Sequence, residues 1–325
     1  MNLTFDDIYL EDAVVVAGQL EGSGPLKAYF DSVDECKDCC FENSEIDLLS
    51  KAMDMLFEKT ECTCDQIDLA IGGELSNQLA TTSYTLRKLP ISLIGIYSAC
   101  STIALGLITA GLSLSQSSVR RVLVFTSSHN QSAERQFRNP VEYGGAKEDT
   151  QTFTATIGAA CFLSHEKSAI RLSSVTVGKV VDVGFTDSMD YGRAMMPAAL
   201  ETLLEHFKTT ATTPADYDLV LTGDLSRFGS KLVQQELEKE FGPVCNYHDC
   251  GLMLYDIDRQ DVLAGGSGPG TSAAVLLSYV RKKMTEGAFK RVLLCATGAL
   301  MNPTMINQKN SIPCIAHAVE LRITE

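Results

Sequence analysis

The sequence predicts an α/β chain folded as a layered α-β-α-β-α sandwich of two similar halves, residues 1–170 and 171–325, forming one compact unit. Two internal matches lead there. The segment Asp68-Leu-Ala-Ile-Gly-Gly-Glu-Leu-Ser76 returns 150 residues later as Asp218-Leu-Val-Leu-Thr-Gly-Asp-Leu-Ser226. At an offset of 170, Arg121-Val-Leu-Val-Phe-Thr-Ser-Ser128 returns as Arg291-Val-Leu-Leu-Cys-Ala-Thr-Gly298. Each is a short apolar strand, and two matches in the same order point to a duplication.

The intervening elements follow in chain order. An apolar, Ala-rich helix is expected at about 101–116 and again at about 271–286, each ahead of the second repeated strand. Both are apolar on nearly every side (IALGLITAGL and SAAVLLSYV), so they belong between sheets rather than on a surface. Strands alternating with helices give parallel-rich sheets covered on their faces. The 20-residue difference between the two offsets predicts an insertion in the second half, around Tyr247–Gly266. No charge occurs between Lys88 and Arg120, long enough to span a bilayer. The three glycines and many hydroxyls of that stretch instead fit a strand, ISLIGIYSA, followed by a buried helix.

Charge narrows the partners. With 41 acidic and 27 basic residues the net charge is −14. That argues against nucleic acid, whose binding is dominated by Lys and Arg, and against broad adhesion to anionic lipid. An anionic ligand would need the few basic residues gathered at one site. The 11 cysteines are too dilute in 325 residues for a disulfide framework. The acidic start MNLTFDDIYL does not read as a signal peptide, so reduced cytosolic thiols are expected. Cys36, Cys39, Cys40, Cys62 and Cys64 lack the spacing of a zinc site and no His lies near them. No metal or other resident cofactor is expected.

Cys100 lies at a strand-to-helix junction, Tyr97-Ser-Ala-Cys-Ser-Thr102. A thiol beside the unpaired N–H groups of a helix start is expected to have a lowered pKa. Three roles are open. It is a nucleophile that accepts an acyl group, a neighbour of a ligand carboxylate received at Ser101 and Thr102, or a small buried residue.

The segment SACSTIALGLITAG (98–111) resembles the nucleophile segment of thiolases and ketoacyl synthases. FTATIGAACFLS (153–164) resembles their glycine-rich mid-chain strand, and GTSAA (270–274) the second-half helix start of ketoacyl synthase III proteins. The implied fold is a thiolase-like sandwich with five-stranded mixed sheets. More specific pieces are Thr126-Ser-Ser-His-Asn130, Ala133-Glu-Arg-Gln-Phe-Arg138, Glu142-Tyr-Gly-Gly145, Pro303-Thr-Met305 and Ile315-Ala-His317. These resemble the stage V sporulation protein AD (SpoVAD) family, from about residue 65 to the end. That resemblance implies a condensing-enzyme fold that binds pyridine-2,6-dicarboxylic acid (dipicolinic acid). It further implies a part in moving this acid into the forespore with the other SpoVA membrane proteins, from a peripheral position at the inner membrane. A homodimer, as in most relatives of the fold, is also admitted.

The alternative is an active condensing enzyme using Cys100. Ketoacyl synthase III proteins pair the Cys with a His after a second-half strand and an Asn before the TSAA segment, which stabilise the oxyanion and assist decarboxylation. Here these would fall near Gly223 and Gly270, neither with a side chain to offer. The turn GGSGPG (265–270) lacks the His of the thiolase GHP motif, whereas Cys295 stands where thiolases carry a second Cys. The chain is therefore read as non-catalytic, with Cys100 a vestigial nucleophile position. His129 and His248 are candidates to reach Cys100, each with a structural, hydrogen-bonded role as the alternative. His165 and His206 lie beside charged residues and are expected in solvent.

Dipicolinate is flat, aromatic and doubly anionic, and calls for guanidinium forks, N–H donors and a ring slot. Arg135 and Arg138 are the candidate forks, three apart on one helical face, with surface ion pairs as the alternative. Phe137 and Tyr143 are candidate ring contacts. Ser267 and Gly268 of the glycine-rich turn join Cys100, Ser101, Thr102 and His129 in the candidate ligand site. Asp224 or Asp249 would complete the coordination of any calcium that the ligand carries.

Overall fold

The computed structural model describes residues 1–36, 40–137 and 147–324. The first sheet contains β1 (Tyr9–Ala17), β2 (Leu69–Gly73), β3 (Leu93–Gly95), β4 (Arg121–Ser128) and β5 (Ile157–Ser164). The second contains β6 (Ile170–Val177), β7 (Leu219–Thr222), β8 (Tyr247–Asp249), β9 (Arg291–Ala299) and β10 (Cys314–Ile323). Across the first the order is β3-β2-β4-β5-β1, and across the second β8-β7-β9-β10-β6. The two permutations are the same. In each, the three outermost strands are parallel and the other pairings antiparallel.

The repeat extends to single hydrogen bonds. The Asp68 carboxylate accepts from the backbone N–H of Arg120 and Arg121 (2.8 and 3.2 Å), and its own N–H reaches the Arg121 carbonyl. Asp218 does the same with Lys290 and Arg291 (2.6 and 2.9 Å). An acid that opens a strand thus locks the register of the strand beside it, which is why it recurs in the sequence match.

The sheets meet at β1 and β6, paired through Tyr9 with Arg171 and Leu10 with Ile170. The first residues of the chain cross that seam. Asn2–Thr4 pairs antiparallel with β6, and the terminal ammonium donates to the Val177 carbonyl at 3.2 Å.

Two helices lie between the sheets: Thr102–Leu114, and a longer run from Pro269 to Thr285 that widens to a π-helix over Val275–Val280. Their apolar sides, including Ile103, Leu107, Val275 and Leu277, pack against Val15 and Val124 of one sheet and Leu294 and Val319 of the other. Phe41–Thr60 covers the outside of the first sheet, placing Leu48, Met53 and Leu56 with Val14, Leu123 and Phe162. Tyr191–Thr210 and Ser226–Phe241 cover the second through Met195, Phe207 and Val233. This is the five-layer sandwich. Among the described residues no helix is long and apolar enough to cross a membrane.

Three expectations change in detail. The extra residues of the second half are not one insertion at Tyr247–Gly266. Tyr247–Asp249 is β8 itself, and the additional length is divided between the helix before it and the loop after it. Only Leu93–Gly95 of ISLIGIYSA is a strand, because the chain turns into the helix start soon after. His206 is fully buried, not solvated: Thr176 Oγ1 lies 2.9 Å from Nδ1, Tyr217 Oη lies 3.1 Å from Nε2, and Glu320 is beyond at 3.6 Å. Glu320 also accepts from Arg291 and Arg322, and these donors hold its carboxyl well below the usual range despite its burial. His165 remains partly exposed.

The buried side of the helix Phe41–Thr60 carries a carboxyl with the opposite shift. Glu45 is buried and accepts from Ser127 and Ser132 (both 2.9 Å). Burial, and then the buried Glu74 carboxyl, push its pKa up to about 7, against the pull of the two hydroxyls. The folded chain therefore holds this proton more tightly than the unfolded one. The contribution to stability is complete below about pH 4.5 and is lost as pH rises through about 7. Glu45→Gln should flatten the decline of melting temperature between pH 5 and 8, removing a loss on the order of 2–3 kcal/mol. Parallel melting curves for parent and variant across that range would show that Glu45 is not under such stress.

Candidate functional site

The starts of the two central helices face each other, and a cleft opens above them. Cys100 forms the floor from a single tight turn, Ala99–Ser101, that leads into Thr102–Leu114. That turn holds Ala99 at φ +47°, a left-handed conformation that costs a non-glycine residue on the order of 1–3 kcal/mol. It persists because hydrogen bonds surround it. Ser101 Oγ donates to the Ser98 carbonyl and Thr102 Oγ1 to the Ala99 carbonyl (both 2.7 Å). Behind it, the Gly178 N–H donates to His317 Nδ1 (3.2 Å), so Nε2 carries the hydrogen that reaches Ser98 Oγ at 3.2 Å. Burial lowers the His317 pKa to about 4, which keeps the ring neutral in that role. Strand β9 passes close beneath, where a Cβ on Gly298 would lie 2.5 Å from the Ser98 carbonyl oxygen.

Over the thiol stands the second half. Ser267 Oγ is 3.9 Å from Cys100 Sγ. Asp224 is completely buried, and its carboxylate accepts from Ser267 Oγ (2.8 Å), the Gly268 N–H (3.1 Å) and Thr297 Oγ1 (2.6 Å). Gly268 can point its N–H this way because it adopts φ +90°, which a side chain would oppose. All three donors are engaged with Asp224, so none of them is aimed at an acyl oxygen above the thiol.

The electrostatics reverse the expected behaviour of Cys100. Burial first, and then the Asp224 carboxylate, raise its pKa well above that of a free thiol, outweighing the donors at Ser267 and Gly268. The raised pKa favours the thiol form of Cys100.

The positions marked for the His and Asn of ketoacyl synthases are closed as well as empty. A Cβ on Gly223 would lie 2.8 Å from Ser272 Oγ and the Thr297 nitrogen, and one on Gly270 2.5 Å from Ser128 Oγ. Cys295 faces the opposite way, toward the Ala199 carbonyl in the outer helical layer (3.7 Å).

The cleft is partly open to solvent at its mouth. Tyr97, Phe137, Tyr191 and Met301 give it ring and thioether walls, while Thr152, Thr154 and Ser188 add hydroxyls. Glu134 is its one charged wall residue among those described, paired with Lys147 at 3.0 Å.

Of the residues singled out from the sequence, the structure brings together Cys100, Asp224, Ser267 and Gly268. Phe137, a candidate ring contact, lines the same cleft, and the remaining described candidates do not contribute to it. Ser101 and Thr102 are buried, with their hydroxyls turned back into the turn. His129 is buried, stacks on Phe41 and packs beside Glu45 and Gln136 rather than in the cleft. Arg135 reaches Glu42 on the surface and lies over the Phe41 ring, because the helix Asn130–Phe137 turns that side chain outward. His248 is exposed in a separate groove, and Asp249 beside it caps the helix Ser226–Phe241. Arg138 and Tyr143 lie outside the described residues. Tyr97 and His317 fall within segments the sequence marks, but neither they nor Tyr191 were candidate site residues. Their roles depend on contacts between distant segments that no local pattern marks.

Cys100 should react more slowly with iodoacetamide at pH 8 than the exposed Cys40 and Cys245, as read by peptide mass mapping. Asp224→Asn should speed the reaction at Cys100, since it removes a charge that disfavours the thiolate. Cys100 alkylated as fast as the exposed thiols in the parent would contradict a raised pKa.

Several solved condensing enzymes share this architecture. A variant of Xanthomonas campestris OleA is 12% identical, with 98% of this chain and 99% of that one covered at a TM-score of 0.62. 3-Oxoacyl-(acyl-carrier-protein) synthase III of Aquifex aeolicus VF5 is 11% identical, with 97% and 99% covered at a TM-score of 0.58. At such identities the likeness is one of fold. Stage V sporulation protein AD of Bacillus subtilis (strain 168) is 45% identical over 316 residues, 96% of this chain and 93% of that protein. Residues 3–322 match the Stage V sporulation protein AD (SpoVAD) family, and the chain belongs to that family of sporulation proteins.

Proposed function

We propose that the chain binds dipicolinic acid, free or as its calcium chelate, in the cleft over Cys100. In this role it serves uptake into the forespore as a non-catalytic, peripheral part of the SpoVA machinery. The observation that carries this reading is the floor of the cleft. A thiol kept protonated, below donors already engaged with Asp224, is a poor acyl acceptor with little to stabilise an oxyanion. What is left is a pocket whose walls suit a flat ring, between Tyr97, Phe137 and Tyr191, and whose hydroxyls suit carboxylates. A dianion entering beside Glu134 needs a cation. Arg138, the residue after Phe137, is the proposed fork, and calcium on the ligand would offset the same charge. Titration calorimetry with dipicolinic acid, with and without calcium, should give heat. Tyr97→Ala and Arg138→Ala should weaken binding about tenfold, while Arg135→Ala, already paired with Glu42, should not. No heat and no thermal shift at millimolar ligand would overturn the proposal. A stoichiometric acyl adduct on Cys100, with turnover of a thioester, would establish a condensing enzyme instead.

We further infer that the chain forms a homodimer along β3. This strand ends the first sheet with Leu93 and Ile94 exposed (39% and 41%), followed by exposed Tyr97. An open apolar edge is a template for another strand. Two chains of charge −14 repel over most of their surfaces but not along this stretch, which carries no charge from Leu89 to Val119. A strand that meets its own copy antiparallel is automatically complementary. Sedimentation should show a dimer in the parent and a monomer in Ile94→Lys. A monomeric parent would exclude it.

A further inference from the structure

We propose an anion-binding groove on the outside of the second half, formed by Arg227, Lys231 and His248 and suited to a phosphate-type oxyanion. It lies between the helix Ser226–Phe241 and the edge strand β8, and shares no lining residue with the cleft over Cys100. Arg227 and Lys231 are one helical turn apart and so project from the same face. His248 joins them from the strand, and all three side chains are exposed.

These cations are unusual for this protein. The other described arginines each engage a carboxylate, a carbonyl or a ring. Arg120 is with Asp68, Arg171 with the Asp6 carbonyl, and Arg87 over Tyr84. Among the described residues the Arg227 side chain has no such partner, and neither Lys231 nor His248 supplies or finds one. In a chain with 41 acids to 27 bases, two basic side chains and an imidazole gathered with no exposed acid among the described groove residues is the reverse of the average surface. The one carboxylate among the described groove residues forms no ion pair with them. Asp249 is buried and turned inward, where it accepts from Thr222 Oγ1 (2.7 Å) and from the N–H groups of Leu225, Ser226 and Gly251 (2.9–3.0 Å). A guanidinium fork, an ammonium and an imidazole around one groove match the several oxygens of a phosphate group. Leu252 and Met253 line the same groove and offer an apolar wall to the carbon side of an ester. The ligand is therefore a phosphate ester, either a soluble metabolite or the headgroup of a lipid. The net charge argues against adhesion over a broad surface, not against one local site.

The test uses the full chain at low ionic strength. Glycerol phosphate is titrated by calorimetry, and vesicles of phosphatidylglycerol in phosphatidylcholine are tested by co-sedimentation against vesicles of phosphatidylcholine alone. The double variant Arg227→Gln/Lys231→Gln should weaken binding about tenfold or more without moving the melting temperature. Lys27→Gln/Lys290→Gln, which makes the same change in net charge at exposed positions elsewhere, should bind like the parent. Binding to the soluble ester alone assigns a metabolite. Binding to the anionic vesicles, lost in the first double variant and competed by glycerol phosphate, assigns the headgroup. Absence of binding to either probe, or equal behaviour of the two double variants, would overturn the site.

Discussion

The fold depends on two helices that are buried between the sheets over most of their length. Thr102–Leu114 and the run from Pro269 to Val280 are apolar around nearly their whole circumference, and each must be covered on both sides. One sheet cannot do this, so two are required. The outer sheet faces, apolar in turn, draw a further layer of helices over them. The repeated strand order and the paired Asp68 and Asp218 locks are two solutions of one problem, each half covering one side of the same buried pair. The cleft is a by-product of that arrangement, since it opens where the two helices begin and the backbone still has unpaired groups.

In that position the chemistry turns on Asp224. Its carboxylate gathers three donors from the second half and stands over a thiol from the first, so it ties the halves together and raises the pKa of the nucleophile position at once. The strained turn at Ala99 and the neutral His317 behind it hold Cys100 at the floor of the cleft. Within this fold, burial and a neighbouring carboxylate both disfavour the thiolate of Cys100. On the proposed reading, the same preorganised floor and ring-lined walls serve a ligand that is held and released unchanged.

Much of the fold was legible because its causes are local. An acid that opens a strand, an all-apolar helix and a charge-free stretch each show their role within a few residues. The residue types at the floor were legible too: Cys100, Asp224, Ser267 and Gly268 all stand out in the sequence. The state of the thiol was not. The helix start that lowers a pKa adjoins Cys100 in the chain, whereas the carboxylate that raises it lies 124 residues away. Arg135 shows the same limit. Its helical face could be drawn from the spacing, but its partner Glu42 belongs to a distant helix, and that contact turns it from the cleft. His206 looked solvated among charged neighbours, yet Thr176, Tyr217 and Glu320 enclose it from three other segments.

The crossing of Asn2–Thr4 onto β6 bears on how such a duplicated chain can be divided. Similar halves suggest two interchangeable modules that could be cut apart between β5 and β6 and recombined. The first residues prevent that, because they complete the sheet of the half to which they do not belong. A fragment ending before β6 would leave its own beginning without a partner, and the complementary fragment would lose an edge strand and the ammonium group that closes on Val177. The chain is symmetrical in topology but laced across its seam, so inheritance, truncation or exchange must treat it as one piece.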